Sequence, residues 1–287
     1  MTRAMVLLGA GVTIIGVIVV AAGALQQDMH PTKHVYASRA DWPVTAPGDV
    51  TLKSFRPFRA VYERNYVQGG GPNAGEPRTD LVIVTAEHVG WDGVEAVSVQ
   101  VIDSGIADKA DTNARALTMF IAERDLRLLF EIGPTPGTAK DYYVAHVLPD
   151  RVVGSMVSTA TAEVSPQIAE VTAPGFGPSA WVVANMDLQP GLTFRLEPAY
   201  SPQSNPLSPG LFGRVIGRET MNDLGGTARE AWVVETVTNL TNERASRYYV
   251  IDAPPYYLGT ASWNLETDEE RNKFVWLKAF AFLDAGQ

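Results

Sequence analysis

The sequence predicts an all-β protein, mainly antiparallel and built as a curved open sheet or half-barrel, preceded by one N-terminal transmembrane helix. Residues 4–25 form an uncharged, apolar run with the length of a membrane span. From residue 58 onward, apolar and polar residues alternate in short runs separated by turn residues, which is typical of antiparallel strands. The chain also contains 25 glycines and 19 prolines, a content that favours many turns over a helical bundle.

The apolar run would form a helix roughly 33 Å long, enough to cross a hydrocarbon core of about 30 Å. The alternative is a cleaved signal peptide, with Arg3 as its charged start and the small residues 22–24 as its cleavage site. Signal peptides usually have apolar regions of about 7–15 residues, and this longer run therefore favours a retained anchor. Four glycines would let a retained helix pack closely on neighbouring helices: Gly9, Gly11, Gly16 and Gly23.

The residues that flank the run predict its orientation. Arg3 precedes it, whereas Gln26, Gln27 and Asp28 follow it. The positive-inside rule then places the N-terminus in the cytoplasm and the bulk of the chain in the periplasm, anchored to the inner membrane. The net charge of −9 argues against a nucleic-acid partner, which would need a basic surface.

The composition divides the chain into three parts: the anchor at 1–25, an extended tether at 26–57, and a periplasmic β-rich domain at 58–287. The domain would have two halves that meet near 174–191, where a Pro- and Gly-rich break occurs.

The tether contains four prolines and no clear periodicity, but it also contains the aromatic residues Tyr36, Trp42 and Phe55. Two interpretations remain open for them. They dock the tether onto its own domain, which we favour, or they pack on a neighbouring subunit.

Within the domain, 58–67 is predicted as the first strand, and the clearest hairpin joins 80–90 to 94–103 through the turn residues Asp92 and Gly93. Residues 179–188 form either a short helix with Ser179 as its N-cap or an edge strand. Residues 267–272 are predicted as a charged hairpin tip. Further strands are predicted at 116–125, 126–133, 141–148, 151–164, 192–198, 213–219, 231–239, 246–252, 256–266 and 273–284.

Three segments of the second half carry a resemblance to a known family. They are a strand ending in Val215, Gly217 and Glu219, the segment AWVVE at 231–235, and YYVIDAPPY at 248–256. Their order resembles an uncharacterised family of exported bacterial domains whose fold is similar to the open half-barrel of periplasmic lipoprotein carriers (LolA-like). The resemblance covers about residues 190–282. It implies a curved sheet whose concavity could hold a lipid, and it implies no catalytic residues.

No catalytic, cofactor or metal site is predicted. The chain has no cysteine, which also excludes a lipid anchor on that residue, and it has no G-x-S-x-G motif. His30 and His34 have the spacing of a helical metal pair, but Pro31 lies between them. His88 and His146 lie alone in predicted strands. We therefore expect no cofactor and interpret the protein as not an enzyme.

The last predicted strand is apolar on both faces, which is typical of a central strand or of one that contacts something further. Core packing is the simpler interpretation, and a lipid-holding concavity or a protein interface are the alternatives. With the tether aromatics, the candidate interface residues are Tyr36, Trp42, Phe55, Phe274, Trp276 and Phe280.

Taken together, these features predict a non-enzymatic, single-pass, membrane-anchored accessory or structural subunit. Its periplasmic β-domain would pack on a membrane protein complex, for example a photosynthetic or respiratory assembly. Its partners would be the other subunits of that complex and, through the N-terminal helix, the lipid bilayer. One alternative is a periplasmic carrier of lipid or lipoprotein with a LolA-like concavity, which would require cleavage of the anchor. A second alternative is an uncharacterised hydrolase.

Overall fold

Fifteen strands form one sheet in the part of the chain that the structure, a computed structural model, describes. That part comprises residues 36, 39–67, 77–103, 116–134, 141–158, 161, 163–170, 175–196, 210–223, 226–238, 244–265 and 269–283. The predicted span, its four glycines and the first part of the tether lie outside it. Among the residues just given, no helix has both the length and the apolar character needed to cross a membrane.

The strand bounds follow the alternation seen in the sequence. The strands are β1 (Val44–Thr45), β2 (Phe58–Val67), β3 (Pro77–Trp91), β4 (Val94–Asp103), β5 (Ala116–Ala122), β6 (Leu128–Pro134), β7 (Asp141–Val147), β8 (Arg151–Ser158), β9 (Val164–Glu170), β10 (Thr193–Leu196), β11 (Leu211–Asn222), β12 (Ala228–Thr238), β13 (Arg244–Val250), β14 (Tyr257–Asn264) and β15 (Glu269–Phe282). A short 3-10 helix (Arg39–Asp41) precedes β1, and one α-helix, α1 (Ser179–Asn185), lies between β9 and β10.

The strand order is β1-β10-β11-β12-β13-β14-β15-β2-β3-β4-β5-β6-β7-β8-β9. Neighbours are antiparallel except β1 and β10, which pair in parallel. Two antiparallel meanders, β10–β15 and β2–β9, are thus joined where β15 pairs with β2, with Phe282 opposite Phe58. Because β1 and β9 are edges, the sheet is open, as the sequence predicts.

Helix α1 lies on one face of this sheet, called the helix face here. The Trp181 ring packs 5.8 Å from that of Phe58 and 5.3 Å from that of Tyr256, measured between ring centroids. Phe58 lies opposite Ala86, and Ala86 lies opposite Val99, so alternate residues of β2, β3 and β4 share this face and form its core. The other side of the sheet is called the opposite face.

The helical alternative for 179–188 is confirmed, but the prediction of Ser179 as N-cap is wrong. Pro178 holds the N-cap position, with φ −55° and no side-chain capping bond, and Ser179 is the first helical residue. The helix is held instead by its packing and by Asn185, whose side chain donates to the Trp181 carbonyl at 2.8 Å.

The predicted hairpin is confirmed, because Asp92 and Gly93 both have positive φ, 47° and 75°, as a two-residue type I′ turn requires. Two predicted bounds are wrong. The run at 151–164 divides into β8 and the start of β9. Strand β9 is an edge strand, which tolerates Pro166 although this residue has no N–H to donate. The predicted tip at 267–272 is shorter, since β15 pairs with β14 from Glu269 onward.

Candidate functional site

The tether-docking site consists of Tyr36, Arg214, Glu235 and Arg247. Glu235 lies in β12, where every residue from 231 to 237 is buried, so the sheet is covered on both faces there. Arg214 of β11 and Arg247 of β13 lie directly opposite Glu235 on its two sides. The pairing register therefore brings two guanidinium groups to one carboxylate on the opposite face.

Both oxygens of this fully buried carboxylate are occupied. Oε1 accepts from Arg214 Nη2 at 2.9 Å and from the Tyr36 hydroxyl at 2.9 Å. Oε2 accepts from Arg247 Nε at 3.0 Å, and Arg247 Nη2 lies 2.9 Å from the same oxygen. A buried charge is costly unless it is paired and hydrogen-bonded, and this arrangement meets both conditions.

Tyr36 reaches the site from the tether and is 2% exposed. Burial raises the pKa of its hydroxyl well above the usual value, and the negative charge of Glu235 raises that pKa further. The phenol therefore stays protonated and donates to the carboxylate.

An apolar cluster packs around the Tyr36 and Trp42 side chains of the tether. The Trp42 ring lies 5.4 Å from the Tyr36 ring and 6.4 Å from the Phe212 ring. The guanidinium of Arg247 lies 3.3 Å from the centroid of the Trp263 ring. The buried members of the cluster are Tyr36, Trp42, Phe212, Val237, Ala245 and Leu265. Tyr36 and Trp42 thus pack on their own domain, as the interpretation that we favour expects.

The tether then crosses to the helix face. Leu52 donates its backbone N–H to the Glu123 carbonyl at 3.2 Å, and Lys53 donates its own to Asn185 Oδ1 at 2.8 Å. The Phe55 ring, half-buried, lies 4.7 Å from the His88 ring and 6.3 Å from the Phe58 ring. The described tether is therefore a bound part of the fold.

The predicted aromatic residues of β15 differ in their surroundings. Trp276 is 3% exposed, packs 5.1 Å from the Tyr249 ring and donates Nε1 to the Asn222 carbonyl at 3.2 Å, so it belongs to the core. Phe280 is half-buried and lies 5.7 Å from the Phe58 ring. The side chain of Phe274 lies outside the described part of the chain. That these residues form an interface with a partner stays a prediction.

Away from α1, the helix face carries two groups of polar residues with a layer of apolar side chains, called the apolar floor here, between them. Arg64 pairs with Asp80 at 3.0 Å and with Asp103 at 2.6 Å. On β6, Glu131 accepts a 2.5 Å hydrogen bond from Tyr143, and burial raises the pKa of this carboxyl. The floor between them is formed by the half-buried residues Val82, Val84, Val101 and Met119.

The opposite face of the meander β2–β9 carries an aromatic cluster that the sequence analysis missed. Phe120 lies opposite Phe130, and Phe130 lies opposite His146, with ring centroids 5.2 Å and 5.1 Å apart. Trp91 packs on Phe120 at 4.6 Å. Phe120, Phe130 and His146 are brought together by the pairing register of β5, β6 and β7. No single segment of the sequence reveals this register, so the cluster could not be predicted.

Histidine and carboxylate groups remain dispersed. His88 contacts Glu123, with Nδ1 and Oε1 2.6 Å apart, and His146 belongs to the aromatic cluster. Across the described ranges, no three His, Asp or Glu residues lie together as metal ligands would. His30 and His34 lie outside those ranges.

Comparisons with known proteins give a likeness of structure and none of sequence. No protein-family model and no curated protein matches the chain. A solved structure, a β-barrel-like protein of the domain of unknown function DUF1849 from Brucella abortus, is similar, with a TM-score of 0.40 and 11% sequence identity. The likeness covers 82% of this chain and 100% of that chain. The comparisons do not confirm the LolA-like fold.

Proposed function

We propose that the protein is a non-enzymatic, single-pass, membrane-anchored accessory subunit whose β-domain packs on a membrane protein complex. The observation that carries the proposal is the docking of Tyr36 to Glu235. It bears on how far the domain can move from its anchor.

An extended chain spans at most about 3.5 Å per residue, so a free tether over 26–57 would reach about 110 Å. Docking at Tyr36 leaves only residues 26–35 between the span and the domain, with a reach of at most about 35 Å. A domain held this close to the membrane suits a subunit that binds neighbouring membrane proteins. A carrier has to leave the membrane, which a retained span on so short a tether would prevent.

A second candidate is a lipid carrier, which the half-buried apolar floor on the helix face favours. An acyl chain would lie along Val82, Val84, Val101 and Met119, with Arg64 near a polar headgroup. This function requires cleavage of the N-terminal run.

The test is the state of the native protein, beside a variant that comprises residues 26–287. The anchored function predicts an intact N-terminus by mass, sedimentation with membranes after a carbonate wash, and co-purification with other subunits in mild detergent. The variant should then appear in the soluble fraction. A native mass that corresponds to a chain cleaved after Ala24, together with a soluble monomer that yields extractable lipid, would contradict the subunit function and support the carrier function.

A further inference from the structure

We infer that one end of the sheet faces the lipid surface, and that it is the end at which the tether docks. This inference rests on the proposed anchoring. It adds to that proposal an interaction surface and its partner, which is the membrane surface around the emerging span.

The two ends of the sheet are distinguished by the strands that terminate there. Because neighbours are antiparallel, β2, β4, β12 and β14 end on the same side of the sheet, which is called the tether end here. The opposite side, called the turn end, carries the Asp92 and Gly93 turn.

The docked tether lies at the tether end. Val237 and Ala245 are within two residues of the ends of β12 and β13 on this side, and Leu265 directly follows β14. These are the residues that bury Tyr36 and Trp42. The chain that arrives from the span therefore reaches the domain at the tether end.

The length of this incoming chain favours one orientation. With the tether end toward the membrane, residues 26–35 need only bridge a short gap. With the turn end toward the membrane, the same residues would have to run past β12 as well, from Ala228 to Glu235, which adds about 23 Å at 3.3 Å per residue. That path alone takes up about two thirds of the segment's reach of about 35 Å. Holding the segment so extended costs conformational entropy, so the first orientation is preferred.

The absence of cysteine from the chain allows a direct test by single-site labelling. Two tether-end positions are Val44 and Val164, which are 43% and 60% exposed. Two turn-end positions are Glu95 and Glu219, which are also exposed. Within each half of the sheet, the paired positions lie about 20–25 Å apart along the strands.

Each residue would be replaced by cysteine in the full chain, labelled with a fluorophore and reconstituted into vesicles that contain lipids with a nitroxide on the headgroup. We expect the nitroxide to quench the fluorescence of Val44→Cys and Val164→Cys. The fluorescence of Glu95→Cys and Glu219→Cys should equal that measured in vesicles without nitroxide. The variant lacking residues 1–25 should show no loss at any position.

Flotation of the vesicles separates the two ways in which the inference could fail. Protein that does not float with the vesicles would overturn the anchored function and this orientation together. Protein that floats but is quenched at the turn end, or equally at both ends, would overturn the orientation alone.

Discussion

At the residue scale, Glu235 brings a negative charge into a fully buried part of the sheet, where Arg214, Arg247 and Tyr36 compensate it. The sequence indicates a strand over 231–239, and alternation assigns Glu235 to the face opposite Val234. Its partners lie on β11, on β13 and in the tether. Only the pairing register joins them, and a single sequence does not contain that register.

Replacing Glu235 with Gln should lower the free energy of unfolding by about 3 kcal/mol, the lower end of the range for breaking a buried ion pair, because both arginines retain some exposure. Glu219→Gln, at an exposed position on β11, is the matched control and should change stability by no more than about 0.5 kcal/mol. Urea denaturation followed by tryptophan fluorescence measures both. Equal effects would show that Glu235 does not hold the tether-docking site together.

Tyr36→Phe removes one hydrogen bond to a charged group and should cost about 1.5–3 kcal/mol near neutral pH. Because burial raises the pKa of this hydroxyl in the folded state, the unfolded chain ionises first as the pH rises through the usual tyrosine pKa of 10.0. The stability of the wild type relative to Tyr36→Phe should therefore be constant below that pH and decline above it. A difference that increases above pH 10 would contradict the sign of the shift.

Glu131 should also make the stability of the protein fall as the pH rises, in this case at acidic pH. Burial raises the pKa of its carboxyl above the usual glutamate value of 4.5, so the folded state keeps its proton after the unfolded chain has lost it. Compared with Glu131→Gln, the wild type should lose stability as the pH rises from 4.5 toward neutral. Denaturation midpoints of both proteins across this range give the difference, and a flat difference would argue against a buried Glu131.

At the element scale, β2 and the β3–β4 hairpin could be predicted from periodicity and from Asp92 and Gly93, since local residues determine both. The edge strand β9 and the contacts between elements could not, because they depend on residues distant in sequence. The short strand β10 is an example. It is held where the Phe194 ring passes over Gly213 of β11, directly opposite in the register.

Gly213→Ala would place a methyl group inside contact distance of the Phe194 ring, and overpacking of this kind costs about 1–3 kcal/mol. Gly217→Ala on the same strand is the matched control, because a Cβ there meets no atom within 4 Å. The control should be neutral or slightly stabilising. Combining Gly213→Ala with Phe194→Leu should recover part of the loss, and thermal unfolding would reveal whether it does.

At the scale of the whole molecule, the pairing of β15 with β2 joins the two meanders into one sheet. Alternation in the sequence predicts both strands but not their partnership. Predicting it would require knowing that the last strand returns beside the first strand of the domain.

A chain that ends at residue 264 lacks β15, so β2 and β14 would lose a shared neighbour and Tyr62 would lose its contact with Leu277. We expect this truncated chain not to unfold cooperatively, whereas a chain that ends at residue 283 should match the full chain. Circular dichroism during urea denaturation distinguishes the two. Cooperative unfolding of the shorter chain would show that the meanders fold independently.

The same pairing has a consequence for synthesis of the protein. Glu63 of β2 and Lys278 of β15 contact each other although they are 215 residues apart in the chain. At about 5–20 residues per second, the ribosome completes β15 about 10–40 s after β2. During this interval β2 exposes an unpaired edge to other nascent chains, which is a site for aggregation. A chaperone that covers this edge during the interval should therefore raise the yield of folded protein.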